Sequence, residues 1–400
     1  MLQVELKKFF KPIILLVALL VSILFYQLQL NFLYTGLPNG FQTEIYKYVF
    51  KWRSDFGKTM TDADFSKVEE DYQTLRKEAD KYVLESDYGK KNDLKNYTEF
   101  RKSEETLPKG SIYDMSPQDE QKMSEYSQFN TNNLFFQLSA YEMIKEGLGR
   151  FESEKNFFDQ RESSDKRRSL IRQVIFEEES WRNILPEGLP GTLASHVADM
   201  LLLAMVCMGM LLPSVFVKDN LLKIKSTQWS SRRGRSLIRT QYLATQIGAF
   251  IIITVLLLIF LLPIVGTKFS QFFDSALNSF LTESFLDSEY SFLHVTFGQW
   301  IWLLVLLVYL VGLSFSSGVF LVAQTSKNYL SMLMKLIPLL AVFIVLDYWL
   351  IKNAFYIQNR LYRKTEILNI ELYAALVIFL IGVIGNMIYI RKIQKKDLLS

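Results

Sequence analysis

Five apolar runs crowd the second half of the chain, between Thr192 and Ile390, and a sixth stands near the N-terminus, with a charged stretch over residues 35–191 between them. Each run is long enough to cross a bilayer, whose hydrocarbon core of about 30 Å takes about 20 mostly apolar residues in a helix. In that core every backbone N–H and C=O must be satisfied inside the protein, so helices are the expected form. The spans read as 12–34, 193–217, 242–265, 300–323, 330–350 and 371–390. The predicted fold class is an all-α polytopic membrane protein. Six transmembrane helices carry a large, mainly helical extracellular domain between the first and second. The organisation follows as 1–34 (cytoplasmic N-terminus and first span), 35–191 (extracellular), 192–390 (five spans with a cytoplasmic loop at 218–240) and 391–400 (a basic tail).

The first run opens like a signal peptide, with Lys7, Lys8 and Lys11 ahead of an apolar core, but it outruns a cleaved segment and no small-x-small site follows Gln27 or Gln29. It reads as an uncleaved anchor. Orientation follows from basic residues near the span ends, which gather on the cytoplasmic side. The N-terminal tip is basic, the loop at 218–240 holds Lys218, Lys223, Lys225, Arg232, Arg233, Arg235 and Arg239, and the tail holds Arg391, Lys392, Lys395 and Lys396. The connection at 266–299 has Lys268 against Asp274, Glu283, Asp287 and Glu289. Both termini are therefore expected inside the cell. One connection runs against the rule, because Lys352, Arg360, Arg363 and Lys364 then fall outside.

A net charge of +4 over 400 residues, with its basic part beside the membrane, points to anionic headgroups and not to nucleic acid. The single cysteine, Cys207, lies inside the second span, so no intramolecular disulfide forms and the outer domain must be held by packing. Two histidines and one cysteine do not make the usual zinc ligand set. No HExxH, GxSxG or GxxxxGK motif is present, so no catalytic residue is assigned, and nucleotide-driven work needs a separate ATPase.

The outer region has helical signals. Val68, Tyr72, Leu75, Ala79 and Tyr82 recur at three and four, after a capping box of Thr61 and Asp64. Ser116-Pro117 followed by Asp119 and Glu120 marks a second start, whose helix carries Met123, Tyr126, Leu134, Phe135, Leu138, Tyr141 and Ile144. These aromatic stripes read as core packing, with a ligand surface as the alternative. The charged run at 165–172 with Glu177, Glu178 and Glu179 reads as a solvated helix face.

The loop at 218–240 is the most informative short segment. An acid, Asp219, precedes Leu221, Leu222 and Ile224, then Ser231-Arg232-Arg233 leads to the third span. Here the chain resembles a permease of the type 2 ABC exporter family, in the layout with one N-terminal span, a large outer domain and five further spans. The glycine that often follows the acid is absent. The resemblance implies a coupling helix that docks on a cytoplasmic ABC ATPase. Leu221, Leu222 and Ile224 would be its apolar anchors, with Lys223, Lys225 and Arg232 at the polar rim, and Asp219 and Arg233 complete the motif. It implies no directly bound cofactor, ATP residing on the partner subunit, and a dimer with itself or a related permease. A basic helix resting on anionic membrane lipid accounts for the same charges.

Charges inside spans are costly and are functional candidates by default. Asp347, beside Tyr348 and Trp349, is expected at headgroup level, and His196 and Asp199, near the outer end of the second span, are placed to pair with each other or to take part in ion movement. The small residues Gly312, Ser314, Ser316, Ser317 and Gly318 are expected to pack against another span or a second copy. Two functions remain open, an ATP-driven exporter of a hydrophobic or amphiphilic substrate (a peptide, a bacteriocin-like toxin or a lipid-linked molecule) and a membrane sensor or scaffold whose outer domain binds a ligand. The plasma membrane of a bacterium is the expected location, since abundant Lys, Phe, Ile and Tyr with scarce Cys and His is what an AT-rich genome encodes.

Overall fold

The computed structural model describes residues 1–39, 42–108, 116–160, 172–173, 179–186, 188–224, 232–279, 281, 291–352, 354–356 and 359–395. Among the described residues the regular structure is helical, without strands. Six helices are long and apolar enough to cross a membrane: Pro12–Leu30, Leu189–Leu221, Ser236–Gly266, Phe297–Thr325, Tyr329–Leu350 and Ile370–Lys395. The chain is on this ground a multi-pass α-helical membrane protein.

Local chemistry explains the boundaries. Lys11 precedes a proline and is held extended, which breaks the short helix Leu2–Phe9 from the first span. Thr296 and Gln299 form a capping box at the start of the fourth span, and Asn328 caps the fifth. Two boundaries differ from expectation. Leu212 stays helical and Pro213 sits where its missing N–H costs nothing, so the second span runs on to Leu221. The third helix starts at Arg232, well ahead of its apolar run. Much of the segment expected as loop at 218–240 is therefore helix, entered from both ends.

The fourth span is the centre of the bundle. In hydrocarbon no hydrophobic force drives helices together, so small residues that permit close approach decide which helix others gather on. A Cβ on Gly312 would stand 2.6 Å from the Ile253 side chain, one on Gly318 would stand 2.9 Å from Leu339, and one on Gly382 would stand 3.0 Å from Ser317. The small-residue run is thus used inside the chain, against other spans. Burial follows: 78 % of the second span's apolar window is enclosed, 11 % of the first and 17 % of the fifth and sixth.

Helices Gln42–Phe56, Asp62–Glu85, Tyr97–Ser103, Pro117–Asn130 and Asn133–Gln160 make up most of the region between the first two spans. The Thr61–Asp64 capping box and the Ser116 cap with Pro117 behind it are both formed. Most of the aromatic stripes are core: Tyr72, Tyr126, Phe135 and Tyr141 are buried, Tyr82 is 38 % exposed, and Phe135 stacks at 4.9 Å on the buried Phe100. Without disulfides, such ring packing supplies the holding contacts. Most of the charged run at 165–172, with Glu177 and Glu178, lies outside the described residues.

Asn183 ties this region to the connection between the third and fourth spans, accepting from the Ala276 N–H at 3.1 Å through its side chain and from Ser279 Oγ at 2.7 Å through its carbonyl. The connection after the fifth span joins the same layer, where Ser291 Oγ donates to the Phe355 carbonyl at 2.9 Å and Trp300 Nε1 to the Ala354 carbonyl at 3.4 Å. The basic group of Lys352, Arg360, Arg363 and Lys364 therefore shares a side with Lys268 and Asp274, as an even number of spans requires. Glu283, Asp287 and Glu289 lie outside the described residues.

Gly89 is a point of close approach, since a Cβ there would overlap the Val83 carbonyl, whereas a Cβ on Gly191 would meet nothing within 4 Å. Gly89→Ala is expected to destabilise the helical region by about 1–3 kcal/mol through forced backbone movement. Hydrogen exchange of the detergent-solubilised chain checks this: protection should fall around residues 62–103 in Gly89→Ala and not in Gly191→Ala.

Candidate functional site

The second span ends in a short, partly exposed turn. It closes with hydrogen bonds from the Leu222 N–H to the Lys218 carbonyl and from the Lys223 N–H to the Asn220 carbonyl, and Lys223 has φ 55°, in the left-handed region. A glycine takes that conformation freely and a lysine does so at a cost. Around the cap Leu221, Leu222 and Ile224 are 48 %, 58 % and 37 % exposed. Residues 225–231 lie outside the described residues, which removes Lys225 and Ser231 from view. Arg232 and Arg233 open the third helix, and only their backbone is described.

Two neighbours anchor this turn in different directions. Asp219 points back to the N-terminal helix Leu2–Phe9, with its Oδ2 4.0 Å from Lys8 Nζ, while Lys8 donates at 2.7 Å to Glu5. Glu5 is buried, and Phe9 behind it meets Phe216 edge-on at 5.6 Å. One ammonium thus serves two acids, and Glu5 Oε2 and Asp219 Oδ2 have no hydrogen-bond partner. On the other side the Asn220 amide donates to the Ser326 carbonyl at 2.9 Å, in the connection between the fourth and fifth spans. The turn therefore grips the first span's leading helix and the fourth span's end through adjacent residues. The sequence carried a weak signal for this, a lone acid within the basic N-terminal tip, and none for the Asn220 contact.

The intramembrane residues depart from expectation. His196 and Asp199 do not pair. His196 is buried, its Nε2 lies 2.7 Å from the Phe260 carbonyl, and its ring meets Tyr34 edge-on at 5.6 Å. Tyr34 OH donates to the same carbonyl at 2.7 Å. His196 is thus a structural tie between the second and third spans. Asp347 is 6 % exposed and its Oδ1 has no hydrogen-bond partner, while its neighbours Tyr348 and Trp349 are exposed. The helix turns the carboxylate inward and the two aromatic rings outward.

Residues not foreseen include Glu371, wholly buried, whose Oε1 accepts from the Phe355 N–H at 3.1 Å. A polar group also gathers on the fourth span: Tyr242 OH and Gln246 Nε2 reach Ser317 Oγ at 3.1 and 3.0 Å, and Asn386 Nδ2 donates to the Ser317 carbonyl at 3.1 Å. Isolated polar residues in apolar runs were its only signal. No group of His, Cys, Asp and Glu suited to a metal ion occurs among the described residues. Compared with protein-family models, with curated proteins and with solved structures, the chain finds no match in any of the three.

Lys8→Glu should place a third acid beside Glu5 and Asp219 and release the N-terminal helix, at a cost of about 1–3 kcal/mol. Limited proteolysis near the N-terminus should accelerate, and adding Asp219→Lys should restore protection by exchanging the charges.

Proposed function

We propose that the chain is the permease subunit of an ATP-driven ABC exporter, working as a dimer with a separate cytoplasmic ATPase and moving a hydrophobic or amphiphilic substrate outward. The observation that carries this reading is the turn after the second span. Three apolar side chains, Leu221, Leu222 and Ile224, stand exposed there around the helix cap, directly after the two anchored residues Asp219 and Asn220. Exposed leucines on a short, fixed element are what a partner's apolar cleft requires, and a helix that only rests on lipid needs no such anchoring. ATP belongs to the partner, and both termini and this turn face the cytoplasm, as the positive-inside rule favours. The helical region between the first two spans is then extracellular.

A sensor or scaffold is the second reading. A polar hollow of about 390 Å³ favours it, lined by Lys58, Asn183, Asp274, His294, Thr296 and Gln299 where the helical region meets the connection between the third and fourth spans.

Affinity purification of the solubilised chain from its native host separates the two. The wild type should bring down an ATPase, and the Leu221→Asp, Leu222→Asp double variant should recover at least tenfold less, the equivalent of about 1.4 kcal/mol, while keeping its own yield and melting temperature. An ATPase missing from both preparations would leave the sensor reading.

A further inference from the structure

The second and fifth spans run antiparallel and touch at Gly209, where a Cβ would lie 3.3 Å from Leu336. Equal steps outward from that contact bring Asp199 level with Leu346 and Asp347, and the two carboxylates act on each other electrostatically. Asp347 is buried and its Oδ1 has no hydrogen-bond partner, while Asp199 is half-buried. Two carboxylates with an orphaned oxygen inside a helix bundle cannot both remain charged without a compensating positive charge.

The surroundings provide one for Asp199 alone. The fourth span, packed against the fifth, holds no charged residue. On the second span His196 is engaged with the Phe260 carbonyl. The sixth span brings Glu371 near its start, engaged with Phe355, and its basic residues Arg391, Lys392 and Lys395 at the far end. Lys218 and Asp219 are also at the far end, where the second span finishes. Lys352 is the nearest cation. Its ammonium sits 5.4 Å over the Tyr348 ring and acts electrostatically on Asp199 without closing to an ion pair within 4.0 Å, which leaves Asp347 with no positive neighbour and the pair with one negative charge uncompensated.

We propose that Asp199 and Asp347 together hold one monovalent cation, a proton or an alkali-metal ion, between the outer halves of the second and fifth spans. The orphaned oxygen of Asp347 is the inner ligand and Asp199, which is partly exposed, is the way in. This is independent of any ATPase partner.

The test uses dicyclohexylcarbodiimide, which adds to a protonated carboxyl in an apolar setting, with the modified residue located by mass spectrometry of the purified full-length chain. In choline buffer the wild type should be labelled at Asp347. Labelling that declines only as pH rises identifies a proton, and labelling suppressed by sodium or potassium chloride at fixed pH identifies an alkali-metal ion. Asp199→Asn should lower the Asp347 labelling severalfold at neutral pH, and Glu371→Gln should leave it unchanged. Wild-type chain unlabelled at Asp347 in every buffer would overturn the proposal, as would a profile that Asp199→Asn does not alter. The wild-type arm stands even where a variant fails to fold.

Discussion

Close approach at the fourth span is the interaction on which the rest of the bundle depends. Lipid solvates leucine as well as a neighbouring helix does, so what separates a bundle from loose helices is packing and polar contact between them. Gly312 and Gly318 admit Ile253 and Leu339 against the fourth helix backbone, and Gly382 on the sixth admits Ser317. The serines beside them are satisfied locally, Ser314 on the Leu310 carbonyl and Ser316 on Leu313. Ser317 instead gathers Tyr242 and Gln246 around its hydroxyl, and its carbonyl receives Asn386, which pins the third and sixth helices to one register. A slip of one residue would strand these groups in hydrocarbon, a cost of several kcal/mol per group.

The periphery follows from that centre. The first, fifth and sixth spans keep most of their surface for lipid or for another subunit, and the first span is held at its two ends and, at mid-length, by Ser22 against Cys207 at 3.8 Å. At its leading end Phe9 is wedged against Phe216 and Gly248. At its trailing end Tyr34 meets the same Phe260 carbonyl that His196 meets.

What was legible in the residues was whatever short-range physics decides. Six spans, the Thr61 and Ser116 caps and the aromatic stripes of the helices between the first two spans all rest on periodicity or on local hydrogen bonding, and each is present. The errors came where a side chain's direction depends on a distant helix. Spacing alone allowed His196 to meet Asp199, but the third span offers His196 an open carbonyl where Pro263 ends the helical ladder. The aromatic neighbours of Asp347 gave no sign that it is buried, because successive helix positions face different ways, so that Tyr348 and Trp349 are exposed while Asp347 turns inward. The Asp219–Lys8 and Asn220–Ser326 contacts join residues far apart in the chain, and no local pattern encodes them.

The second span joins the two polar features of the molecule. It is the most enclosed of the six, and its helix runs from Leu189 to Leu221, so Asp199 near one end and Asp219 at the other belong to one element. Pro213 lies between them and withholds one backbone donor. That is the place where such a helix can bend with the least loss of hydrogen bonding. A push on Leu221 and Leu222 therefore has two outlets. It reaches the first and fourth spans directly through Asp219 and Asn220, and it reaches the outer end only so far as the helix between Pro213 and Asp199 stays straight. Because that stretch is packed on the third, fourth and fifth spans, bending at Pro213 is the easier response. The direct contacts at the turn are then the main route by which force applied there enters the bundle.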